Sequence, residues 1–312
     1  MKIRNSYSFL VIGKTQESTE ATEGFKRYVG VGSTFVKGVQ PTKKEIDEFF
    51  GYESQSEPEY IKDTDNGKEV RITFLLQTDP AAHNGIELKS RAHFTLRMAP
   101  DYSKDQTKVR VIDSYGNYSI YVDAEDAKAG KPILTPNGNP SKLDTKYRIA
   151  FVGECDLVDF LKKYLCVPDA FSYVNGAWVK NDNADNLKFG FTPDDIKKLC
   201  AGDFKDLKDA IALQPNNRIK LLYGVQTNSE GKQFQNVCTR GNLILSNSSK
   251  ATALEKMRAD LAKAKQNGLY ANIDYRVQEL QEYSVAPTNL ETPVDDSNLP
   301  FDGPSSSEMP WD

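Results

Sequence analysis

The sequence predicts a mixed, mainly β protein with helical insertions and a disordered acidic C-terminal tail. Three observations carry this. Apolar and polar residues alternate with period two over 70–77, 88–98 and again after Pro215. Helical spacing is concentrated between about 153 and 213. Residues 287–312 contain no Lys or Arg, and are rich in Pro, Ser and acid.

At 312 residues, with 38% hydrophobic side chains, 27% charged and a mean hydropathy of -0.58, the composition is that of a globular protein. No apolar run approaches the roughly 18 residues of a membrane span, so no membrane partner is expected. The apolar run 9–12 is too short for a signal-peptide core and reads as a strand. Cys155, Cys166, Cys200 and Cys238 lie far apart, and His83 and His93 form no cluster with them. Neither a zinc site nor a disulfide framework is supported, no cofactor is expected, and buried reduced thiols fit a cytoplasmic compartment.

In chain order, apolar runs at 9–12, 28–31 and 35–36 are broken by glycine. Gly13-Lys14-Thr15 resembles the end of a phosphate loop, but Ser8 stands where the first glycine belongs. Gly30-Val31-Gly32 lacks the third glycine of a dinucleotide fingerprint and reads as strand or turn. Thr42 and Glu45 have capping-box spacing for a short helix that Gly51 ends. After the polar stretch 51–69, Val70, Ile72, Phe74 and Leu76 alternate with Arg71, Thr73, Leu75 and Gln77.

The strand at 88–98 places Leu88, Ala92, Phe94, Leu96 and Met98 on one face and Lys89, Arg91, His93, Thr95 and Arg97 on the other. That basic face is either a polyanion surface or an ordinary solvated one. Strands at 108–112 and 118–122 bring Arg110, Tyr115, Tyr118 and Tyr121 together around a turn. Rings beside cations suit bases and phosphates, although tyrosine is also a good strand former.

Helices are expected at 156–165, 193–200 and 204–213, with a hairpin around Asn175-Gly176. Strands return at 219–225 and 234–245, joined by the turn Asn228-Ser229-Glu230-Gly231-Lys232 and carrying Lys220, Tyr223, Lys232 and Phe234. A helix over 252–267, with Thr252 and Glu255 at capping-box spacing, precedes a last strand at 273–285. Three strands, a helical insertion at about 153–213 and two further strands are the order of an OB-type barrel. The sequence thus divides into an elaborated body, 1–286, and a tail, 287–312.

The tail holds Glu291, Asp295, Asp296, Asp302, Glu308 and Asp312 with no cation, so the formal net charge of -4 is a tail of -6 and a body of +2. Too little apolar surface is present to offset the entropy of ordering. Within it Leu299-Pro300-Phe301-Asp302 and Met309-Pro310-Trp311-Asp312 share the form aliphatic, proline, aromatic, aspartate. Such a segment is suited to docking in a basic groove with an apolar pocket; the alternative is a solubiliser.

The run Asp295-Asp296-Ser297-Asn298-Leu299-Pro300-Phe301 resembles the acidic Pro-aromatic tip of bacterial and phage single-stranded DNA-binding proteins. The stretches GFKRYVGVGSTFVKGV (24–39) and ALQPNNRIKLLYGV (212–225) resemble crAss-like phage proteins of that role. Against the family pattern, Phe301 is internal, Trp311 is followed by Asp312, the body is long and the zinc-binding cysteines of some phage members are missing.

The resemblance implies sequence-independent single-stranded DNA binding in phage replication or recombination, in the host cytoplasm, without enzymatic activity. On that reading Lys89, Arg91, Arg97, Arg110, Lys220 and Lys232 take phosphates, while Phe94, Tyr115, Tyr118, Tyr121, Tyr223 and Phe234 include the stacking rings; for Phe94 and Tyr223 the alternative is a place in the core. Asp295, Asp296, Leu299, Pro300, Phe301, Asp302, Pro310, Trp311 and Asp312 would dock replication or recombination proteins. The alternative is a virion structural or assembly protein whose tail docks a neighbouring subunit. A hydrolase or nuclease is the weakest reading, since no His/Ser/Asp or paired-acid arrangement stands out.

Overall fold

The computed structural model describes residues 26–54, 56–65, 67–113, 119–134, 137–138, 147–165 and 192–284, with backbone alone at 171–174 and 177–180. The strand expected at 9–12, Cys166, Tyr115, Tyr118 and the whole tail lie outside the described residues.

The first strand, β1 (Tyr28–Val39), is shared between two neighbours. Gly30 to Thr34 pair antiparallel with β11 (Ile219–Thr227), and Thr34 to Val39 pair with β3 (Gly67–Thr78). A register shift between Val36 and Gly38 bulges Lys37 out of the ladder, and such a bulge bends the strand that carries it. Gly30 has φ +128°, and a Cβ there would sit 2.6 Å from the Glu279 carbonyl oxygen. The glycines of this segment thus serve strand crossing rather than nucleotide binding.

Helix α1 (Lys43–Phe50) starts on the expected capping box: the Glu45 N–H donates to Thr42 Oγ1 at 3.3 Å and the Thr42 N–H to Glu45 Oε2 at 2.6 Å. Gly51, at φ +75°, ends it. β2 (Ile61–Thr64) and β3 form a hairpin, and β3 pairs in unbroken register with β4 (Lys89–Pro100).

A small sheet follows, built from β5 (Lys108–Asp113), β6 (Ser119–Asp123) and β7 (Tyr147–Ile149). It carries its own core of Val109 and Val111 against Ala124 and Ala127 of α2 (Ala124–Lys128). β8 (Phe151–Val152) returns to the edge of β4. Then come α3 (Glu154–Leu165), the hairpin β9 (Phe171–Val174) and β10 (Ala177–Lys180), α4 (Pro193–Ala201) and α5 (Lys205–Ala212).

β11 leads by a turn into β12 (Gln233–Val237). β13 (Leu245–Ser246) and β14 (Ile273–Tyr275) flank β11, with α6 (Ala251–Gln266) between them in sequence, and β15 (Gln281–Glu282) pairs with β1. The main ladder runs β12-β11-β1-β3-β4-β8. Although three strands separate them along this ladder, β12 lies against β4, so the antiparallel sheet curls into a half-barrel.

The concave side is the principal core. Ile72, Phe74, Leu76, Phe94 and Leu96 from the sheet meet Leu157, Phe160, Leu161 and Tyr164 of α3 and Ile196, Leu207 and Ile211 of α4 and α5. The Phe74, Phe94 and Phe160 rings lie 4.8 to 5.8 Å apart, and each contributes about 1.5–3 kcal/mol by burial. On the opposite side of the sheet α6 covers Val31 and Leu222 with Met257 and Leu261.

Three expectations are corrected here. The strand expected at 234–245 ends at Val237, and a 3-10 turn at Gly241–Leu243 separates it from β13. The strand expected at 273–285 is two short ones, because the chain leaves the edge of β11 and crosses to that of β1. Thr252 is not a cap: α6 begins at Ala251 after Lys250, and Glu255 pairs with Arg258 instead.

Candidate nucleic-acid interface

Alternation along β4 decides which side chains face out. Ser90, Ala92, Phe94 and Leu96 are buried, whereas Lys89, Arg91, His93 and Thr95 are exposed. The register puts Gln77 beside Lys89, Leu75 beside Arg91, Thr73 beside His93, Arg71 beside Thr95 and Glu69 beside Arg97, all on the same outer face. At about 3.3 Å per residue, the row from Lys89 to Arg97 spans about 26 Å.

This face continues onto β1 and the approach to β11. Phe35 pairs with Gln77, and its ring lies 4.5 Å from Lys37 Nζ and 5.0 Å from the Arg218 guanidinium carbon. Arg218 is held by buried Asp79 at 3.0 Å, and Lys220 donates to the Ser249 carbonyl at 2.9 Å. At the other border the end of α1 supplies three rings. Lys89 Nζ is 5.4 Å from the centre of Phe49, and the Arg91 guanidinium carbon is 4.9 Å from that of Phe50. Arg91 Nη2 also donates to Tyr52 Oη at 2.7 Å.

The electrostatics of the face follow from what is missing on it. Lys89 has Glu87 at 3.9 Å and Arg218 has Asp79. Among the described residues no carboxylate lies within ion-pair distance of Arg71, Arg91 or Arg97. His93 Nδ1 is 2.9 Å from Thr73 Oγ1. Although the side chain reaches the surface, the crowding of its ring by neighbouring groups withdraws it from water and, reinforced by Arg71 and Arg91, pushes its pKa down to about 4. The imidazole is neutral at pH 7, and the positive charge belongs to the guanidinium and ammonium groups.

The other sequence candidates are distributed elsewhere. Phe94, 4% exposed, and Tyr223, fully buried with its hydroxyl 2.9 Å from Thr34 Oγ1, belong to the core. Neither presents a face to a base, so of the two alternatives for them, stacking ring or core, the structure has the core: the same alternation that exposes Arg91 buries Phe94. Arg110 is likewise committed. It lies on β5, 3.9 Å from Asp101 and 3.7 Å from Asp156, with the half-exposed Tyr121 ring at 5.8 Å. Lys232 sits exposed on the β11–β12 turn, 3.5 Å from Glu230, and Phe234 is half-buried on β12. Tyr115, Tyr118 and the tail residues from Asp295 to Asp312 are outside the described residues.

Sequence reading missed Phe35, Lys37, Phe49, Phe50, Tyr52, Arg71 and Arg218. A signal was present for two of these groups. Arg71 alternates with the clearest apolar run of the chain, and Phe49-Phe50-Gly51-Tyr52 closes a helix in which Ile46 is the buried residue. No protein family, curated protein or solved structure matches the chain. Among the described residues no helix is long and apolar enough to cross a membrane, and no group of His, Cys, Asp and Glu could hold a metal ion.

Proposed function

We propose that the outer face of β1, β3 and β4 binds single-stranded DNA without sequence preference, on an OB-type barrel. One observation carries the reading: Arg71, Arg91 and Arg97 lie on one paired face with no carboxylate within ion-pair distance among the described residues, and Lys89 and Arg91 of that face lie against the rings of Phe49, Phe50 and Tyr52. Unpaired cations take phosphates, and exposed rings take unstacked bases, which a duplex does not offer. The strand order supports the barrel reading. β1, β3 and β4 are followed by helices and then by β11 and β12, with β11 beside β1 and β12 against β4. A row of about 26 Å fits a site of several nucleotides, within the range of about 4–16 for one such barrel.

The tail, by its composition and its two Pro-aromatic units, recruits partner proteins and competes with DNA for the cations when unoccupied. The role in phage replication or recombination, in the host cytoplasm, rests on the sequence resemblance. The test is a titration of labelled single- and double-stranded DNA with the full chain and with a chain lacking 287–312, over a salt series. The single strand binds more tightly, with a logarithmic salt slope of about -0.7 per phosphate contacted. Equal affinity for both forms at low salt overturns DNA binding of this kind. Removal of the tail raises affinity, most at low salt; an unchanged affinity overturns the competition.

A further inference from the structure

The cation-rich face carries a feature that simple charge attraction does not require. Phe50 and Tyr52 lie with ring centres 5.5 Å apart and planes at 26°. Tyr52 is 46% exposed, and neither ring belongs to any of the three buried clusters of the described residues. The pair sits where α1 has ended at left-handed Gly51. Phe49 packs edge-on against Phe50 with ring centres 4.9 Å apart, and Arg91 ties the pair to β4 through the cation-π contact to Phe50 and the hydrogen bond to the Tyr52 hydroxyl.

That arrangement is a guanidinium satisfied by neutral partners. A phosphate offers Arg91 a charge-assisted, bidentate bond about twice as strong as a neutral one. We propose that Phe50 and Tyr52 are a base-stacking hook, latched by Arg91 over the face when DNA is absent. Bound single-stranded DNA draws Arg91 onto a phosphate and frees the two rings to stack on its bases. This rests on the single-stranded DNA reading above and adds to it which rings are used and what holds them beforehand.

The ring and the hydroxyl of Tyr52 then have opposite effects on binding. The ring adds affinity; the hydroxyl, by holding Arg91, opposes release of the latch. Wild type, Tyr52→Phe, Tyr52→Ala and Phe50→Ala are titrated with a labelled oligo(dT) at one salt concentration, each checked for an unaltered thermal transition. Tyr52→Phe binds as tightly as wild type or a few-fold tighter. Tyr52→Ala and Phe50→Ala weaken binding by about 5- to 160-fold, the range one stacked base supports.

If wild type binds and Tyr52→Ala binds equally well, the hook is wrong and the DNA reading stands. If Tyr52→Phe loses as much as Tyr52→Ala, the hydroxyl matters rather than the ring, and the hook is again overturned. If wild type does not bind, both readings fall.

Discussion

The outer face of the main sheet and the small sheet each set arginine beside exposed tyrosine, and they differ in whether acids neutralise the cation. On the outer face of β3 and β4, Arg71, Arg91 and Arg97 stand on paired strands without a carboxylate within ion-pair distance among the described residues, and Arg91 lies against Tyr52 and Phe50. On the small sheet, Arg110 of β5 lies beside Tyr121, but Asp101 and Asp156 flank it. Arg148 of β7 is held by Glu154 in the same way, through two nitrogens. Glu154 and Asp156 belong to the first turn of α3, where the helix dipole favours negative charge. The arginines of the small sheet therefore dock that sheet onto a helix end, while Arg71, Arg91 and Arg97 of the main sheet have no carboxylate within ion-pair distance among the described residues. An arginine's availability is set by the acids other segments bring to it, not by its own neighbours in sequence.

The widest separation between the two regions comes from removing the free arginines together. Arg71→Ala, Arg91→Ala and Arg97→Ala combined lower single-stranded DNA affinity by about two orders of magnitude at 0.1 M salt and flatten the logarithmic salt slope by about 2, from roughly 0.7 per lost contact. A salt titration of wild type and the triple variant measures both quantities. A slope equal to that of wild type would place the phosphates elsewhere on the protein.

Arg110→Ala is the converse experiment. It leaves Asp101 and Asp156 without their guanidinium in a half-buried site where burial already raises the Asp101 pKa. Unfolding by denaturant shows a stability loss on the order of 1–3 kcal/mol, below the 3–5 kcal/mol of a fully buried pair because the contacts are long and partly wet. DNA affinity stays at the wild-type value. A variant that folds normally yet binds DNA weakly would return Arg110 to the binding surface.

The same contrast explains what was legible in the chain. Period-two alternation at Val70, Ile72, Phe74 and Leu76 and at Ala92, Phe94 and Leu96 is a local signal, and it correctly orients β3 and β4. The capping box at Thr42 and the stop at Gly51 are local too. Lys89, Arg91 and Arg97 are therefore readable as an outward row, and the same rule puts Phe94 on the inward, apolar face. Phe35 with Arg218, and Phe50 with Arg91, meet only because β1 is shared between β11 and β3 and α1 ends over β4. Such pairings depend on register between distant segments, which no single stretch encodes. The neutralisation of Arg110 by Asp156 is equally remote.

His93 offers the finest discrimination between the two regions, through pH. It stands in the middle of the outer row, with its inner nitrogen on Thr73 and the guanidiniums of Arg71 and Arg91 facing it from β3 and β4. Its pKa falls from an ordinary 6.5 to about 4, so the unfolded chain binds this proton more readily than the folded one. The stability involved is fully present above pH 6.5 and is lost as pH falls toward 4. His83, lowered by burial, acts in the same direction. Asp101 on the small sheet has the opposite sign: its raised pKa favours the folded state under acid and costs stability as pH rises through it. Denaturant unfolding between pH 7 and 4.5 should therefore show a shallower acid loss for His93→Gln than for wild type, with a residual slope from His83. Equal slopes would mean that His93 titrates normally. In that case the imidazole would gain charge between pH 7.5 and 6, and DNA affinity would rise over that interval in wild type but not in His93→Gln; a neutral His93 predicts the same affinity profile for both.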